Sequence, residues 1–376
     1  MPHAPPRSAY IHIPFCRHRC GYCNFSVVAG RDDLVESFLE AISRELSWLG
    51  APQEVDTLYF GGGTPTHLAP SELDRLCQLA HQWHPLAAGY EWTVEANPAD
   101  VTRERLEVLA RHGVNRISLG AQSFRTEKLE LLERDHRAAE IIRAVRLVRE
   151  AGMPLAIDLI FATPGETLTE WQADLDEALS LDPEHISTYG LTFEKGTPFW
   201  SRRARDELTT VPEQLERDMY LAAIDRLSQA GWEHYEVSNF ARPSRRSRHN
   251  EAYWSGLGYF AVGPGAARYV DGVRETNHRS TTTYLKRVLA GESPATDREC
   301  LDPRRRAGEF LVFSLRRLEG IAREEFQERT GEPLDSLAGK AIARFVELGL
   351  LADDGHTVRL TREGLLISDS LWPELL

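Results

Sequence analysis

Cysteine is scarce in this chain, and long apolar runs are absent from it. Only 5 of the 376 residues are cysteine, and three of those lie in one short segment. This odd, clustered set excludes a disulfide framework and suits a reducing compartment with a metal or cluster site. No stretch approaches the ~20 apolar residues of a membrane span, and residues 1–7 lack the apolar core of a signal peptide. We therefore expect a cytoplasmic protein with no transmembrane segment, and we leave peripheral membrane contact open.

Short apolar segments alternate with helical patterns from residue 8 to about residue 195. Each strand candidate is rich in Val, Ile, Leu, Tyr or Phe and is bounded by Gly, Pro or polar residues. The predicted strands cover residues 9–15, 56–60, 91–95, 116–120, 155–161 and 185–191. The helices predicted between them cover residues 33–49, 71–84, 103–112, 138–151 and 170–180. Six consecutive βα units indicate an α/β fold whose parallel sheet curves into a full or partial barrel.

The pattern changes after the sixth strand. A helix over 213–230 and a strand over 235–240 come first, and residues 241–300 show no clear periodicity. Three helices are then predicted, followed by a hairpin, at residues 304–318, 324–329, 337–348 and 351–360. We therefore expect three parts. They are a barrel over 1–240, a connecting segment over 241–300, and a small helical, winged-helix-like domain over 301–376.

Basic charge is also in short supply. The chain has 44 Lys and Arg against 57 Asp and Glu, a net charge of −13. Winged-helix modules often bind DNA, but residues 301–376 carry 11 Lys and Arg against 14 Asp and Glu. Nucleic-acid binding needs a basic footprint, so we expect a scaffolding role for this domain and no nucleic-acid partner.

The clustered cysteines are Cys16, Cys20 and Cys23, with the spacing CxxxCxxC directly after the first predicted strand. Three thiolates can hold three irons of a cubane cluster and leave the fourth iron open to bind a small molecule. Zinc is the alternative, because His12 or His18 could complete a set of four ligands, although zinc sites usually use CxxC pairs. Barrel active sites form at the carboxyl ends of strands, and this position favours the cluster.

This loop resembles the signature of the radical S-adenosylmethionine enzymes. The run Tyr-Ile-His-Ile-Pro-Phe-Cys is similar to their oxygen-independent coproporphyrinogen III oxidase-like group, and the resemblance covers nearly the whole chain. It implies a partial (β/α)6 barrel, a [4Fe-4S] cluster on the three cysteines, and S-adenosylmethionine on the open iron. It also implies an electron donor for the cluster, because one electron cleaves the cofactor to methionine and a 5′-deoxyadenosyl radical in that superfamily.

Glycines and polar residues near the ends of successive strands match the cofactor positions of that family. The implied S-adenosylmethionine residues are Tyr10, Tyr22, Gly62, Gly63, Thr64, Glu95, Gln122, Arg134 and Asp158. The resemblance assigns the glycines, Glu95 and Arg134 to the methionine end, and Gln122 and Asp158 to the ribose. Taken alone, a glycine triplet is more often a turn, and the polar residues could be helix caps or a paired core charge.

A second motif, His-Asn-Glu-Ala-Tyr-Trp at residues 249–254, closely follows several arginines. Haem needs an axial nitrogen, aromatic contacts and cations for its propionates, and this segment offers all three. From the residues alone, an exposed basic loop beside a packed aromatic cluster is an equal alternative. The pattern HNxxYW resembles the haem-binding motif of haem chaperones in the same group. That resemblance implies His249 as the haem iron ligand, with Tyr253 and Trp254 beside it, and we expect Arg245 and Arg246 to pair with the propionates.

One departure from the oxidase pattern bears on function. The oxidases carry CxxxCxxCxC, and Phe25 stands where their further cysteine would be. We therefore expect a haem chaperone that binds haem, the cluster and S-adenosylmethionine and delivers haem to membrane respiratory haem enzymes. The alternative is oxygen-independent coproporphyrinogen III dehydrogenase, which decarboxylates two propionates oxidatively. Enzymatic activity and homodimer formation are left open by the sequence.

Overall fold

The computed structural model describes residues 5–376. The strands are β1 (Ser8–Ile13), β2 (Phe15–Cys16), β3 (Val28–Ala29), β4 (Val55–Gly62), β5 (Leu86–Ala96), β6 (Arg116–Gln122), β7 (Leu155–Phe161), β8 (His185–Gly190), β9 (Glu233–Glu236), β10 (Asn239–Ala241), β11 (Phe260–Val262), β12 (Ala267–Val270), β13 (Val273–Asn277), β14 (Ala295–Cys300), β15 (Ile321–Ala322), β16 (Leu351–Asp353) and β17 (Thr357–Leu360).

The helices cover one face of the main sheet and build the C-terminal part. They are α1 (Val35–Ser47), α2 (Pro70–Trp83), α3 (Arg103–Arg111), α4 (Thr126–Leu131), α5 (Ala138–Glu150), α6 (Leu168–Ser180), α7 (Pro198–Arg203), α8 (Glu213–Gln229), α9 (Arg248–Trp254), α10 (Thr281–Leu289), α11 (Pro303–Arg316), α12 (Arg323–Thr330), α13 (Leu334–Glu347), α14 (Arg362–Leu366) and α15 (Ser368–Leu371). Among residues 5–376, no helix combines the length and apolar character that crossing a bilayer requires.

A nine-stranded mixed sheet, in the order β11-β1-β4-β5-β6-β7-β8-β10-β9, forms the centre of the fold. The six predicted strands are parallel neighbours in chain order, β1, β4, β5, β6, β7 and β8. The edge strands β11 and β9 do not pair with each other within the described part of the chain. The expected α/β fold with a partial barrel is therefore confirmed, and the sheet stays open.

The strands of the sheet separate an apolar outer face from a polar inner face. In β6, Ile117 and Leu119 are fully buried in the main core. Ser118 and Gly120, which alternate with these two residues along the strand, line the inside of the curved sheet. Successive strand residues point to opposite faces, so helices cover one side while the other side is free to build a site.

Two elements differ from the sequence prediction. The single strand expected over 235–240 is wrong, because the chain turns there and forms the antiparallel pair β9 and β10. Ser238 N donates to Glu236 Oε1 at 3.1 Å inside this turn, a local contact that apolar periodicity does not reveal. Strand β11, which pairs in parallel with β1, was not predicted because three residues carry no measurable alternation.

The C-terminal part has its own hydrophobic core. Helices α11, α12 and α13 match the three predicted helices, and β16 and β17 form the predicted hairpin. A third strand, β15, pairs with β17 to complete a small antiparallel sheet. The division at residues 240 and 300 stays a prediction, and residues of β11 and α10 pack into the main core.

A buried acid on α1 ties the middle segment to the barrel. Glu45 accepts hydrogen bonds from Gly263 N at 2.9 Å, Asn277 Nδ2 at 2.7 Å and Tyr284 Oη at 2.5 Å. Burial raises the pKa of Glu45, and these three donors act in the opposite direction. The carboxylate therefore replaces hydration for three otherwise buried polar groups.

We predict that Glu45→Ala lowers the free energy of unfolding by about 3–5 kcal/mol, because it leaves buried donors without an acceptor. Urea unfolding followed by circular dichroism measures the change. The exposed Glu40 lies on the same helix, and Glu40→Ala should leave stability nearly unchanged. Equal effects of the two substitutions would contradict a stabilising role for the buried hydrogen bonds of Glu45.

Candidate functional site

A cavity of about 960 Å³ lies on the inner side of the curved sheet. It gathers nearly every residue that the sequence singled out. The predicted residues that line it are Tyr10, Cys16, Cys20, Tyr22, Cys23, Gly62, Gly63, Thr64, Glu95, Gln122, Arg134, Asp158, His249 and Tyr253. The two motifs, far apart in sequence, therefore face one common space.

The cysteine loop follows β1 at the carboxyl end of the sheet. Cys16 Sγ lies 3.5 Å from Thr64 Oγ1, and Arg134 Nη1 donates to Cys20 Sγ at 3.5 Å. Burial raises the pKa of Cys16 to about 12 and also raises the pKa of Cys23. A bound cation would reverse this preference, because coordination deprotonates a thiol.

Three thiols on one loop are a donor set that suits a cubane cluster. Within residues 5–376, no group of three His, Cys, Asp or Glu side chains converges on one metal position. A single zinc ion needs each sulfur at about 2.3 Å from one point, whereas a cubane spreads its ligands over several irons. Arg17 Nη2 donates to the buried Asp100 at 2.7 Å, so the loop is anchored beyond its own cysteines.

The glycine turn after β4 leaves no room for side chains. Gly62 has a φ of +107°, and a Cβ there would lie 2.4 Å from the His12 ring. A Cβ on Gly63 would lie 2.7 Å from the carbonyl oxygen of Phe15. Only glycine permits this backbone path, which brings the chain against the cysteine loop.

Glu95 is an acid of the cavity whose surroundings oppose its charge. Its carboxylate accepts from Tyr59 Oη at 2.8 Å and from Gly62 N at 3.0 Å. Burial raises the pKa of Glu95 to about 7, and the charge of Asp158 acts in the same direction. Such an acid is suited to a cationic ligand, whose charge would restore the ionised form.

Three further predicted residues surround this centre. Gln122 has a φ of 65°, a conformation uncommon for a residue other than glycine and typical of functional sites. Asp158 accepts from Ser118 Oγ at 3.1 Å, and burial raises its pKa. Arg134 Nη2 donates to Gly120 O at 3.1 Å and to Asn97 Oδ1 at 3.2 Å, which fixes the guanidinium beside Cys20.

His249 lies at the opposite, amino end of the strands and is only 1% exposed. Its Nδ1 lies 2.9 Å from Thr57 Oγ1, and its Nε2 lies 2.9 Å from Tyr253 Oη. The ring stacks on Tyr59 with centroids 4.9 Å apart. Burial lowers the pKa of His249 to about 3, so the imidazole is neutral.

Trp254 of the second motif and the nearby Arg246 do not line the cavity. The guanidinium carbon of Arg316 lies 4.4 Å from the centroid of the Trp254 ring, which also packs near Phe313 of α11. Arg246 donates to Glu233 at 3.1 Å and to Glu251 at 3.2 Å. The charge of Arg246 is therefore already compensated, which argues against the expected pairing with a propionate.

Comparison with known proteins places the chain in a family. The Radical SAM superfamily model matches residues 10–178, and the HemN C-terminal domain model matches residues 301–367. The heme chaperone HemW of Bacillus subtilis is 33% identical over 97% of this chain and 98% of its own length. The chain belongs to the radical SAM superfamily. Within it, the chain falls in the HemN-like group close to HemW.

Other relatives and one solved structure agree. The heme chaperone HemW of Escherichia coli is 34% identical over 98% of this chain and 97% of its own length. The mitochondrial radical S-adenosyl methionine domain-containing protein 1 of Danio rerio is 33% identical over 100% of this chain and 88% of its own. Coproporphyrinogen III oxidase (HemN) from Escherichia coli has a TM-score of 0.87 at 22% identity, covering 99% of this chain and 90% of that one. That last likeness shows the shared fold.

Membership of the radical SAM superfamily implies a [4Fe-4S] cluster and S-adenosylmethionine. The cavity fits both, because three thiols, a glycine turn and an acid with a raised pKa meet at the carboxyl end of the sheet. When bound, the cluster supplies an electron to the sulfonium of the cofactor. The protein's own residues would position the two groups and exclude water around them.

Sequence reasoning missed several polar residues that line the inner face of the sheet. Tyr59, Arg116 and His185 all line the cavity. The available signal was that these polar residues alternate with apolar ones along their strands. A face that packs against helices seldom carries an arginine, so the polar positions had to lie on the other face of the sheet. Long-range register, and not local pattern, brings these residues together.

The raised pKa of Glu95 gives a prediction about stability. A carboxyl with a raised folded-state pKa binds more protons when folded, so its contribution to stability falls as pH rises from 4.5 through about 7. We predict that Glu95→Gln raises the unfolding free energy of the cofactor-free protein at pH 8 by about 2–3 kcal/mol, with little change at pH 5.

Denaturant titrations at the two pH values measure this difference. Glu104→Gln is the matched control, because Glu104 is exposed on α3 and should change stability at neither pH. A gain of the same size at pH 5 and pH 8 would show that Glu95 is not held in surroundings that oppose its charge.

Proposed function

We propose that this protein is a haem chaperone, which binds haem through His249 and delivers it to respiratory haem proteins of the membrane. The observation that carries the proposal is that the histidine of HNxxYW faces the same cavity as the cysteine loop. Similarity to heme chaperone HemW over nearly the whole chain supports it. We place the activity in the cytoplasm, and haem, the recipient enzymes and an electron donor for the cluster are its partners.

The surroundings of His249 suit an axial ligand. Burial keeps the imidazole neutral, so one ring nitrogen carries a lone pair that can bind iron. Thr57 would hold Nδ1 and thereby orient the ring, as groups behind a ligating histidine commonly do. Iron would then bind Nε2, for which it must compete with the hydroxyl of Tyr253.

The remaining cofactor assignments belong to the same proposal. Cys16, Cys20 and Cys23 would hold the [4Fe-4S] cluster. The S-adenosylmethionine residues would be those that line the carboxyl end of the cavity, from the glycine turn to Asp158. Phe25 occupies the position of the oxidases' further cysteine. It lines the cavity and is 64% exposed, so a phenyl ring and not a thiolate faces the site there. This favours a carrier of haem over oxidative decarboxylation of coproporphyrinogen III.

Haem titration tests the proposal directly. We predict that the purified protein shifts the Soret band of added haem, and that His249→Ala abolishes the shift because the axial nitrogen is lost. His18→Ala is the matched control, since His18 lines the same cavity but is exposed, and it should bind haem like the unchanged protein. Loss in both variants, or in neither, would count against His249 as the ligand.

Tyr253 gives a second test. We predict that Tyr253→Phe keeps the Soret shift and binds haem about 2- to 10-fold more tightly, because iron no longer displaces a hydrogen bond worth about 0.5–1.5 kcal/mol. Spectroscopic titration measures the dissociation constant. Tyr259→Phe controls for a general loss of tyrosine hydroxyls, since its ring packs against Tyr253 without contacting His249. A loss of binding in Tyr253→Phe alone would instead make the phenol a haem contact.

Delivery needs its own experiment. Haem-loaded protein mixed with membrane vesicles that hold haem-free respiratory enzymes should lose its Soret absorbance while enzyme activity appears. Parallel reactions with and without a chemical reductant test whether the reduced cluster takes part in this step. Retention of haem by the protein, with no activity gained, would reduce the proposal to haem binding alone.

A further inference from the structure

Arg116 is a buried cation near the charges of Glu91 and Asp158, and its hydrogen-bonding capacity is only partly used. It begins β6, and its side chain is 8% exposed. Nη1 donates to Arg245 O at 3.2 Å, and a carboxylate oxygen of Glu91 lies 3.7 Å from Nη1, beyond hydrogen-bond range. Nη2 is buried and has no hydrogen-bond partner within residues 5–376. Burying a guanidinium costs free energy unless its N–H groups donate hydrogen bonds. Nη2 is therefore a donor that a bound acceptor would satisfy.

Glu91 makes no hydrogen bond to Arg116, and each of its oxygens is held by a backbone donor at the start of α9. Oε1 accepts from His249 N at 3.1 Å, and Oε2 accepts from Arg248 N at 3.2 Å. The carboxylate therefore serves the first turn of α9 and only partly balances the charge of Arg116.

His185 presents a second unused donor. Its Nε2 lies 2.8 Å from Tyr235 Oη, and that hydroxyl accepts from Ser247 N at 3.2 Å. The hydroxyl proton is then free to be donated to Nε2, which places the imidazole proton on Nδ1. Nδ1 is buried and without a hydrogen-bond partner in the described part of the chain. The ring is neutral, because burial lowers the pKa of His185 well below its usual range.

Arg116 and His185 line the cavity together with His249. Strand β7 lies between their strands, and its Ala156 is paired with His185 and also lines the cavity. One cationic and one neutral donor, each lacking an acceptor, form a set that matches the two oxygens of a carboxylate.

We propose that Arg116 and His185 form a carboxylate subsite at the amino end of the cavity, and that it receives a propionate of the haem bound at His249. This inference rests on the proposed function, since it names a contact of the same ligand. The carboxylate of S-adenosylmethionine is the other possible source, but its expected partners, the glycine turn and Arg134, lie at the carboxyl end of the strands.

The test compares haem with iron protoporphyrin dimethyl ester, whose propionates carry no charge. The unchanged protein should bind haem roughly 10- to 100-fold more tightly than the ester, the effect expected of a hydrogen bond to a charged group. Arg116→Gln should weaken haem binding to about the level of the ester and leave ester binding unchanged. Arg304→Gln is the matched control, since Arg304 is exposed on α11 and should keep the full preference.

The possible results separate the two proposals. A haem preference that persists in Arg116→Gln overturns the subsite and leaves the haem chaperone standing. Absence of haem binding by the unchanged protein overturns the proposed function and the subsite with it. Weaker binding of S-adenosylmethionine by Arg116→Gln, with the haem preference intact, assigns the subsite to that cofactor and overturns the propionate contact.

Two further variants keep the test open should Arg116→Gln fail to fold, which circular dichroism would reveal. Arg116→Lys keeps a cation near Glu91 but loses the second nitrogen, so the preference for haem should fall without vanishing. His185→Phe removes the Nδ1 donor and should lower the preference about 3- to 10-fold. An unchanged preference in both folded variants would overturn the subsite.

Discussion

Burial of polar side chains on the inner face of the curved sheet is the constraint on which the rest of this structure depends. Arg116, Ser118 and Asp158 occupy strand positions that a simple barrel would fill with branched aliphatic residues. Each such group loses hydration, and Glu95 and His249 show the consequence in their shifted pKa values. The fold tolerates this because the opposite face of the same strands is continuously apolar and covered by helices.

The inner face also joins the two ends of the cavity. The His249 ring stacks on Tyr59, and the Tyr59 hydroxyl donates to Glu95. Glu95 in turn accepts from the backbone of Gly62, in the turn that packs against the cysteine loop. The second motif and the cofactor end are therefore linked by direct contacts through two side chains.

Much of this architecture is predictable from sequence because its signals are local. Strand 155–161 has the predicted bounds, since its apolar run lies between a proline and a turn. The cysteine spacing and the glycine triplet are likewise recognisable in the sequence without any knowledge of tertiary contacts. The failures come from contacts that apolar periodicity does not show. The turn at Val237 is held by the local contact of Ser238 with Glu236 and by a hydrogen bond from Tyr220 of α8, and the three-residue strand β11 forms by pairing with β1.

The same reasoning explains the residues of the second motif. His249, Tyr253 and Trp254 were predicted to act together, but a seven-residue helix turns them to different sides. His249 and Tyr253 are four residues apart and meet on the face that closes the cavity, as residues with that spacing do. Trp254 follows one position later, and its ring lies between the Arg316 guanidinium and Phe313 of the C-terminal part. Because Tyr253 and Trp254 are consecutive on one rigid turn, helix α9 fixes the cavity wall and the C-terminal part to each other. The motif therefore connects the cavity wall to the C-terminal part, which accounts for a tryptophan at a position that does not line the cavity.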